Sequence, residues 1–162
     1  MSVDVTARLE EDARARNWDP VTELVMRTFR LNGVFLTVGE ALARPHGLTA
    51  VRWQVLGAVL RTPMTVAGIA REMGIARQTV LPMANALVAA ELAEFRANPG
   101  HRRAKLLAPT PAGREAISRI APGQRRWAQA LADSVGEEEL RACVATLNRV
   151  ITAAADLDPA AD

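Results

Sequence analysis

Thr65-Val-Ala-Gly-Ile-Ala-Arg-Glu-Met-Gly74-Ile-Ala-Arg-Gln-Thr-Val80 is the stretch of sequence that decides the fold of this chain. Its spacing is typical of a helix-turn-helix. Ala70 is small at the point where the second helix crosses the first, and Gly74 supplies the turn, because glycine adopts a positive φ without steric penalty. The apolar residues that we expect to hold the two helices together are Ile69, Ile75 and Val80.

A basic segment follows the helix-turn-helix. Between Phe95 and Arg114 the chain carries five cationic residues and no Asp or Glu. Two stretches of β character, Ala93–Asn98 and Arg103–Ala108, flank the turn-forming Asn98-Pro-Gly100 and predict a hairpin. A charge run alone is usually a solvated surface, but a helix-turn-helix followed by a basic hairpin is a winged helix. Such modules place their second helix in the major groove, so the sequence predicts DNA binding.

The segment from about Leu48 to Arg114 resembles the MarR family of bacterial winged-helix transcriptional regulators. The similar parts are Leu48-Thr-Ala-Val-Arg-Trp53-Gln-Val-Leu56 for the family's second helix, Thr65 to Leu92 for its helix-turn-helix, Asn98-Pro-Gly-His-Arg-Arg-Ala104 for its wing, and Thr110-Pro-Ala-Gly113 for the start of its next long helix. The resemblance implies a mainly α fold with a small β-hairpin wing, in which a winged helix-turn-helix is flanked by N- and C-terminal dimerisation helices. It divides the chain into dimerisation helices at 1–47, a DNA-binding domain at 48–109 and further dimerisation helices at 110–162.

Length and composition fit one globular domain with an oligomerisation element. The chain has 162 residues, of which 49% are hydrophobic, and no apolar run approaches the roughly 20 residues of a membrane span. The N-terminus lacks the basic-then-apolar order of a signal peptide, and the single Cys143 excludes an internal disulfide. We therefore expect a cytoplasmic protein without a membrane partner. Cys143 lies on the apolar side of the last predicted helix, where we expect a buried, inert thiol.

The net charge of +2 conceals an uneven distribution. From Asp133 to Asp162 seven acidic residues are opposed by two arginines, whereas the middle of the chain is basic. Such a molecule can present one face to phosphates and keep its acidic end away from them.

Capping signals and apolar spacing predict the order of the helices. The predicted helices are a short Val5–Arg16, a long helix from the Asp19 cap and Pro20 to Pro45-His46-Gly47, one from the Thr49 cap to about Arg61, one capped by Thr65, one from Ala76 to Leu92, one opened by Thr110-Pro111, and one over Glu137–Asp156. Pro122-Gly123 lies inside the fifth of the main helices, and we expect it to break or kink that helix.

The two terminal helical segments carry apolar stripes that the middle of the chain does not obviously cover. They either pack on each other within one chain or, as the resemblance implies, interleave with a second subunit. The stripe residues assigned to dimerisation are Val21, Leu24, Val25, Leu140, Val144, Leu147 and Ile151. A two-fold dimer places two recognition helices roughly 34 Å apart on successive major grooves, so a pseudo-palindromic operator is expected.

The recognition helix, the second of the helix-turn-helix, divides into two faces. Ile75, Val80, Leu87 and Val88 are predicted to point to the core. The residues predicted to contact DNA are Arg77, Gln78, Leu81, Pro82 and Asn85 on this helix, Thr65 and Thr79 near helix N-termini, and Arg96, Arg102, Arg103 and Lys105 on the wing. Arg pairs with guanine and Gln with adenine, whereas the threonines suit phosphates or helix caps. The alternative for each polar residue is an exposed side chain without a partner.

Two positions depart from the family pattern. Leu81-Pro82 stands where the family has a hydroxyl residue and an arginine, and Pro82 removes a backbone hydrogen bond to the carbonyl near Gln78. We expect it to kink the helix or to shift its effective start, and to leave base readout to thymine methyl contacts or to DNA shape. His101 replaces the aspartate of the family's wing, and we interpret it as a solvated loop residue.

Nothing in the sequence indicates catalysis. His46, His101 and Cys143 are too widely spread for a metal site, and no phosphate-binding glycine loop or nucleophile motif is present, so no enzyme, cofactor or metal is expected. A small-molecule effector bound between dimer helices and winged helix would change the spacing of the recognition helices; Trp18, Trp53 and Trp127 either line its pocket or pack in the core. The alternative functions are a helical partner-binding protein that uses the winged helix as a scaffold without DNA binding, and, more remotely, a ligand carrier or enzyme.

Overall fold

The structure is a computed structural model that describes residue 11, residues 19–101 and residues 103–157. The elements in those ranges are α1 (Pro20–Ala43), a 3₁₀ turn (Arg44–His46), α2 (Ala50–Ala58), β1 (Met64–Thr65), α3 (Val66–Met73), α4 (Arg77–Ala89), β2 (Ala93–Arg96), β3 (Leu106–Pro109), α5 (Pro111–Val135) and α6 (Glu137–Asp156). The predicted mainly α fold with a small β wing is confirmed. The short helix predicted at Val5–Arg16 and the pocket residue Trp18 lie outside the described ranges, apart from residue 11.

The long first helix begins where the sequence predicted. The carboxylate of Asp19 accepts hydrogen bonds from the backbone N–H of Val21 at 2.9 Å and of Thr22 at 3.1 Å. The Thr22 hydroxyl donates to the same carboxylate at 2.6 Å, and this bond is the main reason that the pKa of Asp19 lies below its usual value. The helix ends before Gly47, whose φ of 76° requires the left-handed region.

A carboxylate of α1 anchors the start of α2. The Thr49 side chain caps α2, as predicted, and the backbone N–H of Ala50 donates to Glu40 Oε2 at 2.8 Å. Arg44 forms an ion pair with the other oxygen of Glu40. Glu40 therefore joins two helices through an N–H group that the helix cannot satisfy internally. The helix ends at Ala58, earlier than the predicted Arg61.

The bond to Ala50 predicts a pH-dependent contribution of Glu40 to stability. This hydrogen bond, helped by Arg44, lowers the pKa of Glu40 below 4.5. The contribution is therefore fully present above pH 4.5 and is lost as the pH falls through the lowered pKa. We expect urea unfolding to show wild type more stable than Glu40→Gln at neutral pH, with the difference shrinking in acid. Glu72→Gln removes the same charge from an exposed position on α3 and is the control; an equal, equally pH-dependent loss there would contradict the prediction.

The helix-turn-helix forms as the sequence predicted at most of its positions. Thr65 Oγ1 accepts from the N–H of Gly68 at 3.0 Å and caps α3, and Gly74 ends that helix with a φ of 65°. Ile69 and Val80 are completely buried, so these two residues do join the helices. The small side chain of Ala70 is buried as well.

The predicted core position of Ile75 is wrong. Its side chain is 37% exposed. The buried side of α4 consists of Val80, Ala84 and Leu87, which are spaced at one and two turns. Ile75 precedes the first turn of α4 and uses its backbone N–H to close α3 on the Ala70 carbonyl at 3.0 Å, so it lies off this seam. Val88, also predicted to face the core, is half-buried.

The wing is a three-stranded antiparallel sheet in the order β1-β3-β2. Phe95 pairs with Leu107, and Thr65 pairs with Leu106, so β1 is a third strand that the sequence did not predict. The two predicted strands are shorter than expected. Between them the Asn98 side chain accepts from the N–H of Gly100 at 3.0 Å and its carbonyl from His101 at 3.2 Å, so this connection bonds within itself instead of extending the ladder.

Helix α4 ends in a left-handed residue that is not a glycine. Glu91 has a φ of 58° and is the only such residue among those described. The N–H groups of Glu91 and Leu92 donate to the carbonyls of Val88 and Leu87, the two bonds of a Schellman motif. The Thr110 hydroxyl holds the Glu91 carbonyl at 2.7 Å. The left-handed conformation of Glu91 is thus stabilised by the hydrogen bonds of the helix end and by the hydroxyl of Thr110.

Glu91→Gly is expected to stabilise the protein by about 1 kcal/mol, because glycine adopts this φ without the steric cost that a Cβ incurs. The free energy of unfolding measured in urea tests this. The neighbouring Ala90→Gly is the control, since Ala90 has a φ of −86° and gains nothing from glycine. It should lower stability, and a loss in both variants would contradict the interpretation of Glu91.

The last two helices have the predicted starts. The predicted break at Pro122-Gly123 is wrong, whereas a kink there stays a prediction. Helix α5 runs without interruption from Pro111 to Val135, because a proline removes one backbone bond while those on either side remain. The chain divides into two compact units between Ile117 and Ser118, so α5 begins in the first and continues into the second.

The second unit has no buried residue on α6 among those described. The predicted buried thiol of Cys143 is therefore wrong for the single chain, in which this residue is exposed. Among the described residues, no helix combines the length and apolar character that a membrane span requires.

Candidate nucleic-acid interface

A groove of about 580 Å³ lies between the start of α3, one side of α4 and the wing. Its walls come from three separate parts of the sequence. The residues that line it are Thr65, Val66, Ala67, Arg77, Leu81, Asn85, Phe95, His101, Arg103, Ala104 and Lys105. Six predicted DNA-binding residues are thus brought to one surface: Thr65, Arg77, Leu81, Asn85, Arg103 and Lys105.

The wall contributed by α4 follows from the period of the helix. Arg77, Leu81 and Asn85 are four residues apart, so they form one row along the groove. All three are exposed, and Leu81 retains 41% of its surface. An exposed leucine between a guanidinium and an amide gives this row both polar and apolar contact groups.

The other residues of α4 that were predicted to contact DNA do not line the groove, but they are exposed to solvent. Gln78 and Pro82 are exposed, one turn apart, and face away from the buried seam that contains Val80 and Ala84. Thr79 is also exposed and does not line the groove. Helix α4 begins at Arg77 and continues through Pro82, so the predicted shift of its start is wrong, whereas the alternative of a kink stays a prediction. The seam on its other side keeps the helix in place across the missing bond.

Two of the predicted wing cations line the groove, and a third lies on the opposite face of its strand. Arg103 and Lys105 line the groove, and His101 is an exposed loop residue beside them, as predicted. Arg96 does not line the groove: its guanidinium pairs with Glu94 at 2.5 Å. Both side chains lie on the strand face opposite Phe95, because successive residues of a strand point to opposite sides. Arg102 lies outside the described residues.

The groove is electropositive. No acidic residue lines it, and within the described part of the chain Arg77, Arg103 and Lys105 make no ion pair or hydrogen bond through their side chains. Three cations without an internal counterion attract a polyanion, and release of its bound counterions on contact favours the complex. The arrangement therefore suits a phosphate backbone better than a neutral ligand.

The apolar part of the groove lining was missed from the sequence. Val66, Ala67, Phe95 and Ala104 were not named as site residues, yet all line it. For Phe95 a signal existed, since it is the apolar residue in an alternating Glu94-Phe95-Arg96 strand. For the others, membership depends on how the wing folds back against α3.

No group of three or more His, Cys, Asp or Glu side chains capable of holding a metal ion occurs among the described residues.

Apolar side chains are exposed on both terminal helices. On α1, Val21 and Phe29 are 70% and 67% exposed, and on α6, Val144 and Ile151 are 56% and 65% exposed. Val25 is exposed, and Leu24, Leu140 and Leu147 are half-buried. Each helix thus presents an apolar face that its own unit does not cover.

Comparison with known proteins places these features in a family. A family model described as MarR family matches residues 46–104, which include the helix-turn-helix and the wing as far as Ala104. Uncharacterised proteins of Mycobacterium tuberculosis and Mycobacterium bovis are 38% identical over 135 residues, covering 83% of this chain and 94% of theirs.

Two solved structures share the fold. The transcriptional repressor CouR bound to a 23-mer DNA duplex has a TM-score of 0.67 and 23% identity, over 77% of this chain and 89% of CouR. Staphylococcus aureus MarR in complex with salicylate and kanamycin has a TM-score of 0.69 and 17% identity, over 85% of this chain and 94% of that protein.

Proposed function

This chain belongs to the MarR family of transcriptional regulators, and from that premise we propose that it is a repressor that binds a pseudo-palindromic operator as a homodimer in the cytoplasm. The observation that carries the proposal is the groove, in which Arg77 from the helix-turn-helix and Arg103 and Lys105 from the wing meet without an acidic residue. A surface of this charge, beside an exposed helix, fits a duplex.

Helix α4 enters the major groove in this proposal. Arg77, Gln78 and Asn85 face base edges, where Arg recognises guanine and the amides recognise adenine. Leu81 and Pro82 give the helix an apolar strip that suits thymine methyl groups. Thr65 and Thr79 contact phosphates; the oxygen of Thr65 already accepts the Gly68 N–H, so its hydroxyl hydrogen remains to donate.

The wing contacts the neighbouring backbone and minor groove. Arg103 and Lys105 contribute from inside the groove, and Arg102 extends the same basic segment. Arg96 contributes only if DNA phosphates displace its partner Glu94, because the two side chains are ion-paired. We therefore expect Arg96 to add less to affinity than Arg103.

Dimerisation is supported by the exposed apolar faces of α1 and α6. Isolated exposed apolar residues are ordinary, but rows that repeat along a helix mark an interaction surface. Covering Val21, Phe29, Val144 and Ile151 in a second copy removes this surface from water. A two-fold dimer also presents two α4 helices to one side of a duplex.

Regulation by a small-molecule effector completes the proposal. Its support is the Staphylococcus aureus MarR structure, which holds salicylate and kanamycin. An effector lowers operator affinity only by binding more tightly to the dimer conformation whose recognition helices do not fit the operator.

Selection of bound sequences from random double-stranded DNA tests the function, together with sedimentation equilibrium of the protein alone. We expect a pseudo-palindromic consensus, a dimer, and an affinity that falls steeply with salt. No enrichment of any sequence would reject the proposal and favour the alternative of a helical partner-binding scaffold.

A further inference from the structure

We propose that the main-chain carbonyl of Gln78 reads a base in the major groove, because Pro82 deprives it of its helical hydrogen-bond donor. The inference rests on the proposed function, since it assigns a base preference to the same recognition helix.

The chemistry begins with the missing N–H of Pro82. In an α-helix the carbonyl of residue i accepts from the N–H of residue i+4, so the donor that belongs to Gln78 is the nitrogen of Pro82. Proline has no N–H, and its ring crowds the carbonyl of residue i−4 and pushes it outward. Helix α4 nevertheless continues from Arg77 to Ala89, so the acceptor lies within a helix and not in a loop.

The position of this acceptor on the helix is the second part of the argument. Val80, Ala84 and Leu87 are completely buried and mark the core side of α4. At about 100° per residue, Pro82 is rotated by roughly 200° from Val80, and Gln78 lies one turn earlier on the same strip. Both residues are exposed. The carbonyl that lacks its helical donor therefore belongs to the strip of α4 that faces solvent, and the proposed function places this strip in the major groove.

A carbonyl oxygen can only accept a hydrogen bond, so it can recognise only a base that donates one. The donors on the floor of the major groove are the amino groups of cytosine and adenine, whereas guanine and thymine present acceptors there. We therefore expect one position in each half-site to favour cytosine or adenine. The Gln78 side chain can recognise adenine by itself. Because its amide both donates and accepts hydrogen bonds, it does not produce an equal preference for cytosine and adenine.

The test compares wild type with two replacements of Pro82 in the full-length protein, using selection from random duplex DNA. Pro82→Ala removes the ring and restores the N–H; replacement of Pro82 by lactic acid removes the ring but leaves an ester oxygen without a hydrogen. Wild type and the lactic acid protein should favour cytosine or adenine over the other bases by roughly threefold to tenfold at one position, the range of a single hydrogen bond. Pro82→Ala should lose that preference, whereas any thymine preference that depends on the ring should weaken equally in both replacements.

Folding does not obscure the comparison, because Pro82→Ala regains a helix bond at an exposed site and should raise the thermal midpoint. An unchanged preference in Pro82→Ala would overturn the inference. Loss in both variants would also overturn it, since the ring and not the carbonyl would then be the contact. Absence of any motif for wild type is a separate result, which rejects the proposed function itself.

Discussion

Gly113→Ala is expected to destabilise the protein by about 3 kcal/mol, the upper end of the cost of forcing an extra methyl group into a packed site. Gly113 is buried in the first turn of α5, and a Cβ built there overlaps the backbone carbonyl oxygen of Leu92. That oxygen already accepts the N–H of Thr110 at 3.1 Å, and the N–H of Gly113 donates to Thr110 Oγ1 at 3.1 Å. The chain cannot move apart here without losing these bonds.

Thermal and urea unfolding measure this effect, and a loss of that size should lower the melting temperature by roughly 10 °C. Gly57→Ala is the matched control. Gly57 lies in α2, and a Cβ there meets nothing within 4 Å, so alanine should be neutral or slightly stabilising. Equal losses in the two variants, or no loss in Gly113→Ala, would show that the approach of α5 to Leu92 is not a constraint on the fold.

Arg77→Ala is expected to weaken binding to the selected operator by roughly 10- to 100-fold, since a good bidentate contact to guanine is worth about 1–3 kcal/mol. Arg77 occupies the first position of α4, is exposed, and lines the groove opposite the cations of the wing. Its loss should also relax selectivity at one base position in each half-site. Titration of the labelled operator and of an unrelated duplex at one salt concentration measures both effects.

The control for Arg77→Ala is Arg71→Ala, which removes the same charge from an exposed position on α3 that does not line the groove. Arg71→Ala should change affinity for operator and unrelated duplex by the same small factor. Since Arg77 is exposed and makes no side-chain bond within the described chain, its substitution should leave unfolding unchanged. If Arg77→Ala retains wild-type affinity and selectivity, α4 does not read bases through this residue.

Local signals in the sequence determined where most of the helices begin and where α3 ends. The side chains of Asp19, Thr49 and Thr65 cap helices where they were predicted to do so, and Gly74 makes the turn. Each of these assignments depends on atoms within three or four residues, and such interactions form in the same way wherever the helix lies. The helix-turn-helix spacing and the basic hairpin depend on equally short distances.

Several of the errors share a different cause. The exposure of Ile75, the third strand at Met64 and Thr65, and the place of Phe95 in the groove all depend on a partner far away in the sequence. The apolar character of Ile75 indicated burial, but burial is decided by which side of α4 meets the core. The left-handed conformation of Glu91 also depends on a distant residue, since the hydroxyl of Thr110, nineteen residues later, donates to the Glu91 carbonyl.

The amino-acid sequence alone therefore determined the order of the helices and of the two hairpin strands, the helix-turn-helix and the list of cations, because these follow from local backbone chemistry and composition. Only the tertiary structure decided which cations share a surface: it placed Arg77, Arg103 and Lys105 around one groove and turned Arg96 to the other face of its strand, against Glu94. The physical reason is that a charge acts through distance in space, and the pairing of β2 with β3 and the packing of α4 set those distances.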